Sequence, residues 1–176
     1  DVVELAAARD YRLARLAGAP VYYAPLGPGA DAAMDAAWAR FICDATEREE
    51  GIEVKGRKIA VPRAARGAAR FDFSDLCAAA LGAGDYLAIA RRYGTLFLDR
   101  IPLMDPSMRN EARRFVALID ALYETRTKFV CSADGEPDAL YPEGDGAFEF
   151  ARTASRLMEM RSNAYLGAEH DWGAAE

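Results

Sequence analysis

The chain has 176 residues, 52% hydrophobic and 28% charged, which is enough to bury one core and argues against disorder. A net charge of −6 disfavours a general nucleic-acid-binding surface, although a local basic patch stays open. No apolar run approaches the roughly 18–20 residues of a membrane-spanning helix, and the opening Asp1-Val-Val-Glu-Leu has neither the basic start nor the apolar core of a signal peptide.

Residues 1–50 read as a connecting region. Residues 1–9 are helix-like, residues 10–16 alternate charged and apolar side chains as a strand does, and Gly18-Ala-Pro20 is a turn. Residues 21–24 suit a short strand and 25–29 a loop. Asp31 opens a helix to about Asp44, with Met34, Ala37, Trp38, Phe41 and Ile42 on its apolar face. Residues 47–51 form a charged connector. Residues 51–73 hold a hairpin and a strand. Ile52, Val54, Ile59 and Val61 alternate with polar residues around Lys55-Gly56-Arg57, Pro62 ends the hairpin, and 69–73 is the next strand.

Residues 74–134 carry the core. Ser74 caps a short helix over 75–80, and 85–93 is a helix ending at Gly94. Two short apolar runs, 95–98 and 128–131, flank a helix from Ser107 to about Arg126. Strand, crossover helix and parallel strand fit this pattern. Ala112, Phe115, Val116, Ile119, Leu122 and Tyr123 recur at spacings of three and four and so face the sheet. Asp120 and Glu124 are like charges four apart and call for a nearby cation, Arg126 or Lys128. In residues 135–176 a single turn at 137–141 and a loop at 142–146 precede a last helix, Phe148 to about Tyr165, and a polar tail containing the sole histidine, His170.

The chemistry-bearing patterns are few. Cys43, Cys77 and Cys131 follow no metal or redox spacing and read as reduced, mostly buried thiols of a cytoplasmic protein. One histidine in a polar tail argues against a histidine-based triad or a multi-histidine metal site. Leu96-Phe-Leu-Asp99 resembles a strand that presents an acid to magnesium, but Arg100 follows where a catalytic Glu is wanted, and a buried strand ending in a polar turn explains it better. Gly51 to Lys58 lacks the Gly-Lys-Ser/Thr of a phosphate-binding loop and reads as a hairpin turn. Arg63, Arg66 and Arg70 suit either an anionic partner or a solvated face. Arg152 and Arg156 share one helix face, where they can reach a phosphate from a flanking domain or pair with Glu149 and Glu159.

An ordered set of strings carries a family resemblance: Gly56-Arg-Lys-Ile-Ala-Val-Pro62, Ala69-Arg-Phe-Asp-Phe-Ser-Asp-Leu-Cys77, Leu81 to Ala90, Ile101-Pro102, Arg109-Asn-Glu-Ala-Arg-Arg-Phe115 with Leu118-Ile-Asp120 and Leu122-Tyr-Glu124, Ser132-Ala133, and Phe148 to Met160. Together they resemble the C-terminal half of the ZapE-type cell-division ATPases and their mitochondrial relatives. The resemblance implies an AAA+ P-loop ATPase, linked in bacteria to constriction of the FtsZ ring and in mitochondria to turnover of inner-membrane complexes. It also implies that the Walker residues, and with them ATP and magnesium, belong to sequence upstream of Asp1. The chain then reads as the C-terminal region of a longer cytoplasmic, homo-oligomeric enzyme with at most peripheral contact at the inner membrane or division site.

The expected fold is α/β: a small mixed sheet with a parallel strand-helix-strand unit, an appended hairpin and flanking helices, in a partial P-loop architecture. The expected function is the C-terminal portion of an ATP hydrolase that remodels cell-division or quality-control partners. The alternative is an interaction module that binds such a partner without touching nucleotide. Arg152 and Arg156 are the candidate phosphate or interface sensors, and Arg109 and Arg113 come second. No residue of the chain is assigned to catalysis or metal.

Overall fold

A computed structural model describes residue 16 and residues 19–173, so the helix expected over 1–9 and all but the last residue of the strand expected over 10–16 lie outside the described residues; Leu16 itself is helical, not strand. Among the described residues, six strands form one sheet in the order β1-β6-β5-β4-β3-β2: β1 (Tyr22–Tyr23), β2 (Arg48–Val54), β3 (Arg57–Ala65), β4 (Ala68–Asp72), β5 (Thr95–Ile101) and β6 (Lys128–Ala133). Strands β1, β6, β5 and β4 run parallel, and β3 and β2 complete the sheet as an antiparallel hairpin. The expected α/β class and partial P-loop architecture are what the chain adopts. The hairpin is not a separate appendage, because β3 pairs with β4.

The central strands are hydrophobic on both faces, as parallel strands covered by helices must be. Helix α1 (Pro28–Ile42) covers one face. Met34, Trp38 and Phe41 pack there on Phe97 and Val130, with Ala65 and Ala68 beneath. Phe97 sits edge-on to Trp38 and Phe41, at ring-centroid distances of 5.0 and 5.8 Å. The other face carries α2 (Phe73–Cys77), α3 (Ala83–Arg92), α4 (Arg109–Glu124) and α5 (Ala147–Glu159), packed on Leu96, Leu98, Phe129 and Cys131. The two-residue period of each strand assigns alternate side chains to alternate layers.

Several boundaries differ from the sequence reading. Helix α1 begins at Pro28, three residues before Asp31, because a proline at the first helical position needs no amide partner. The charged connector is strand: β2 begins at Arg48, and its charges line the sheet edge. Pro62 does not end the hairpin. It falls where the β2 register shifts between Arg48 and Glu50 and just before β3–β4 pairing starts at Arg63, so its missing amide breaks no ladder. Asp72, not Ser74, caps α2, through a reciprocal bond in which the Asp72 amide donates to Asp75 at 2.8 Å. The last helix is two, α5 and α6 (Asn163–Leu166), separated where Ser162 caps the second. His170 is buried, its Nε2 lying 2.6 Å from the Ala90 carbonyl.

Two predictions follow from this packing. Phe97→Ala removes a ring enclosed by two others and lowers unfolding free energy by about 3–5 kcal/mol, read by urea denaturation. Asp85 is the second. It is buried at the start of α3, where it accepts the Gly82 amide at 2.8 Å and Arg57 at 2.6 Å. Burial acts to raise its pKa, but those bonds outweigh it and hold the carboxyl below its ordinary value. A depressed folded pKa contributes stability above the unfolded value of about 3.9 that is lost as pH falls. The urea midpoint of the wild type therefore drops more steeply from pH 7 to pH 3 than that of Asp85→Asn.

Candidate functional site

In open α/β sheets, ligands gather outside the carboxyl ends of the parallel strands. Here that end is a crevice of about 400 Å³ lined by Asp31, Asp35, Arg70, Asp72, Asp99 and Arg100 among others. Register places Asp72 of β4 directly beside Asp99 of β5. Two adjacent carboxylates require cations, and two arginines supply them. Arg70 grips Asp99 with two bonds, Nε to Oδ2 at 2.7 Å and Nη2 to Oδ1 at 2.9 Å, and reaches Asp35 at 2.9 Å. Burial disfavours the Arg70 charge, but Asp99 and Asp35 more than offset it and raise its pKa. Arg100 sits in a bulge of β5 with φ 61°, its amide donating to Ser132 at 2.8 Å and its Nε to Asp72 at 3.0 Å. The bulge lets β5 run on to Ile101, where the sequence reading ended it at Leu98.

This crevice does not fit magnesium and a nucleotide triphosphate. Both Asp99 oxygens are taken by Arg70, and the β1–α1 connection, Ala24-Pro-Leu-Gly27, has no lysine or hydroxyl for phosphates. No group of three or more His, Cys, Asp or Glu among the described residues is arranged to hold a metal ion.

The four singled-out arginines lie on the opposite side of the sheet, on α4 and α5. Arg109, Arg113 and Arg152 line one cleft of about 330 Å³ between the first turns of these helices. Arg156 stands outside it. Asp120 joins the two groups: it bonds Arg156, and Arg152 reaches it at 3.7 Å. Arg156 also covers the Tyr123 ring at 4.7 Å, and the Tyr123 hydroxyl donates to Glu159 at 2.7 Å. Asp120 of α4 thus takes the pairing expected from Glu149 and Glu159 on the arginines' own helix, and α5, not Arg126 or Lys128, supplies its cations. Arg109 reaches Asp145 at 3.7 Å, and Arg113 donates to Asn110 at 3.3 Å. Asp120 was legible only as one of two like charges four apart; Asp145 and Tyr141 gave no pattern.

The other candidates disperse. Arg63 pairs with Glu47, Arg66 with Asp44, and Arg70 is buried, so the three form no shared basic face. Cys77 and Cys131 are buried, and burial pushes both thiols up, away from reactive thiolate; Cys43 is exposed. Among the described residues, no helix is long and apolar enough to cross a membrane.

Parallel strands with helices on both faces and a strand-end crevice define a partial P-loop-type α/β architecture. Within that class, the model of the AFG1-like ATPase family matches residues 1–169, and the chain belongs to this family. It is 36% identical to the cell division protein ZapE of Escherichia coli K12, over 97% of this chain and 45% of that protein. It is 33% identical to lactation elevated protein 1 homolog B of Danio rerio, over 90% of this chain and 32% of that protein. The chain spans less than half the length of these curated relatives. No solved structure matches it.

Breaking the crevice pair leaves the buried Arg70 charge with Asp35 alone, at 2.9 Å. Asp99→Ala leaves the Arg70 guanidinium without its bidentate partner and costs about 3–5 kcal/mol. The double variant Arg70→Met/Asp99→Leu recovers most of that loss, as chemical denaturation of the two variants will show.

Proposed function

We propose that the chain is the C-terminal portion of an AAA+-type ATP hydrolase that couples hydrolysis to remodelling of a cell-division or protein-quality-control partner. Membership of the AFG1-like ATPase family supports the ATP-dependent activity, and the name of the Escherichia coli relative supports the division role. ATP and magnesium act in the longer protein, at residues other than the crevice described above. The enzyme is a homo-oligomer on the cytoplasmic side, with at most peripheral contact at the inner membrane or division site.

One observation carries the assignment of a coupling element. Asp120 of α4 bonds Arg156 of α5, which is largely covered, and Arg152 lies 3.7 Å from the same carboxylate with its side chain 61% exposed. Arg152 is thereby the donor able to turn to a phosphate or an adjoining subunit, with Arg156 fixing the face beside it. Arg109 and Arg113, next in order for the same role, lie on the neighbouring cleft. The misfit of the crevice favours a second reading, in which this region binds the partner and never touches nucleotide.

ATP binding by calorimetry, on this chain and on the full-length protein, locates the nucleotide site. Both readings expect binding by the full-length protein alone, and the arginine variants separate them. In the full-length enzyme, Arg156→Ala and Arg152→Ala each lower kcat by about tenfold or more, or about 1.4 kcal/mol of transition-state stabilisation. Unchanged turnover in both would remove these arginines from the mechanism.

A further inference from the structure

We infer that the cleft between the first turns of α4 and α5 is a docking site for a short acidic peptide segment bearing one apolar anchor residue. The cleft shares Arg152 with the Asp120 clamp, and Arg109 and Arg113 with the second choice of sensors, so its test reads peptide binding without nucleotide.

The cleft has a floor and a rim of different chemistry. Ala112, Val116, Tyr141 and Phe150 contribute its apolar lining. Arg109, Arg113 and Arg152 stand around it, all exposed, against the carboxylates of Asp145 and Glu149. Guanidinium outnumbers carboxylate here, on a chain whose net charge is −6. The crevice at the strand ends has the reverse balance. The first turns of α4 and α5 add the positive ends of two helices of 16 and 13 residues.

The arginines are weakly engaged. Arg109 meets Asp145 at 3.7 Å with side-chain exposures of 60% and 84%, and Arg113 has a single bond to the neutral Asn110. Such exposed pairs contribute little and exchange readily for a better acceptor. The Asp145 carboxylate is in effect an internal stand-in for the ligand's. The loop that carries it is well fixed. Tyr141 donates its hydroxyl to the Asp145 carbonyl at 2.8 Å, and Gly144, at φ 119°, passes so close to that hydroxyl that a Cβ would lie 2.5 Å from it. The rim is therefore formed before anything binds, which limits the ordering cost of association.

The apolar floor decides between ligand classes. Tyr141 and Phe150 are buried and back the cleft, and Val116 is the part-exposed member of its floor. A phosphate leaves Val116 uncovered, whereas an apolar side chain beside a peptide carboxylate covers it. Charge complementarity at the rim and apolar burial at the centre are the anatomy of a peptide-binding surface.

The test is fluorescence anisotropy on the nucleotide-free full-length protein, with a labelled peptide in which aspartates and glutamates flank one phenylalanine. Binding is expected, with affinity falling by about tenfold or more for Arg109→Ala/Arg113→Ala, where two charge-assisted bonds are lost. It falls similarly when the phenylalanine is replaced by alanine, and for Val116→Trp, which fills the floor without altering charge. Far-ultraviolet circular dichroism verifies that each variant is folded. Equal binding by wild type and both variants, or no binding by wild type, would overturn the proposal. So would tripolyphosphate binding that displaces the peptide and is insensitive to Val116→Trp, which would make the cleft a phosphate site. Self-association abolished by Arg109→Ala/Arg113→Ala, with no peptide binding, would assign the cleft to a second copy instead. Loss of peptide binding leaves the calorimetric test of ATP use untouched, so the two readings fail separately.

Discussion

Strands β5 and β6 have no solvent face, and the chain is arranged to keep it so. Phe97 and Val130 require α1 on one side, while Leu96, Leu98, Phe129 and Cys131 require the four helices on the other. Parallel neighbours in turn need long crossovers, which fixes where α2, α3 and α4 can lie. The apolar alternation persists along β5 until Asp99, at the carboxyl end, where the chain must satisfy a charge at the edge of a dry interior. Arg70 does so from the adjacent strand.

The same two-sided burial explains how much of the fold could be read from the sequence. The runs at 95–98 and 128–131 stand out because both faces are apolar, and the central helix stands out because only one face is. Phe115, Ile119 and Leu122 are fully buried where the spacing put them. The first half of edge strand β2 was missed for the complementary reason. Arg48, Glu49 and Glu50 carry no apolar face, and their strand conformation is imposed by the β3 ladder. His170 was read as a solvated tail residue because its partner, the Ala90 carbonyl, lies eighty positions away.

The candidate site was legible only in part. Charge and helical spacing picked out Arg109, Arg113, Arg152 and Arg156, but their sorting into a cleft lining and a clamp depends on the contact between α4 and α5, which neither helix encodes alone. A single acid, Asp120, gathers Arg152 and Arg156, while Arg109 turns to Asp145 and Arg113 to Asn110. The crevice shows the converse. Asp99 was recognisable as an acid at a strand end, but its neutralisation by Arg70 follows from the pairing of β4 with β5.

The hairpin that extends the sheet also closes it. Strand β2 is the last of the six, and its outer row of amides and carbonyls is the place where another chain could add a strand. The strand carries Glu49, Glu50 and Glu53 within seven residues, and Glu47 immediately precedes it. An incoming strand would have to desolvate and crowd these carboxylates. The acidic row therefore opposes the addition of a further strand at β2.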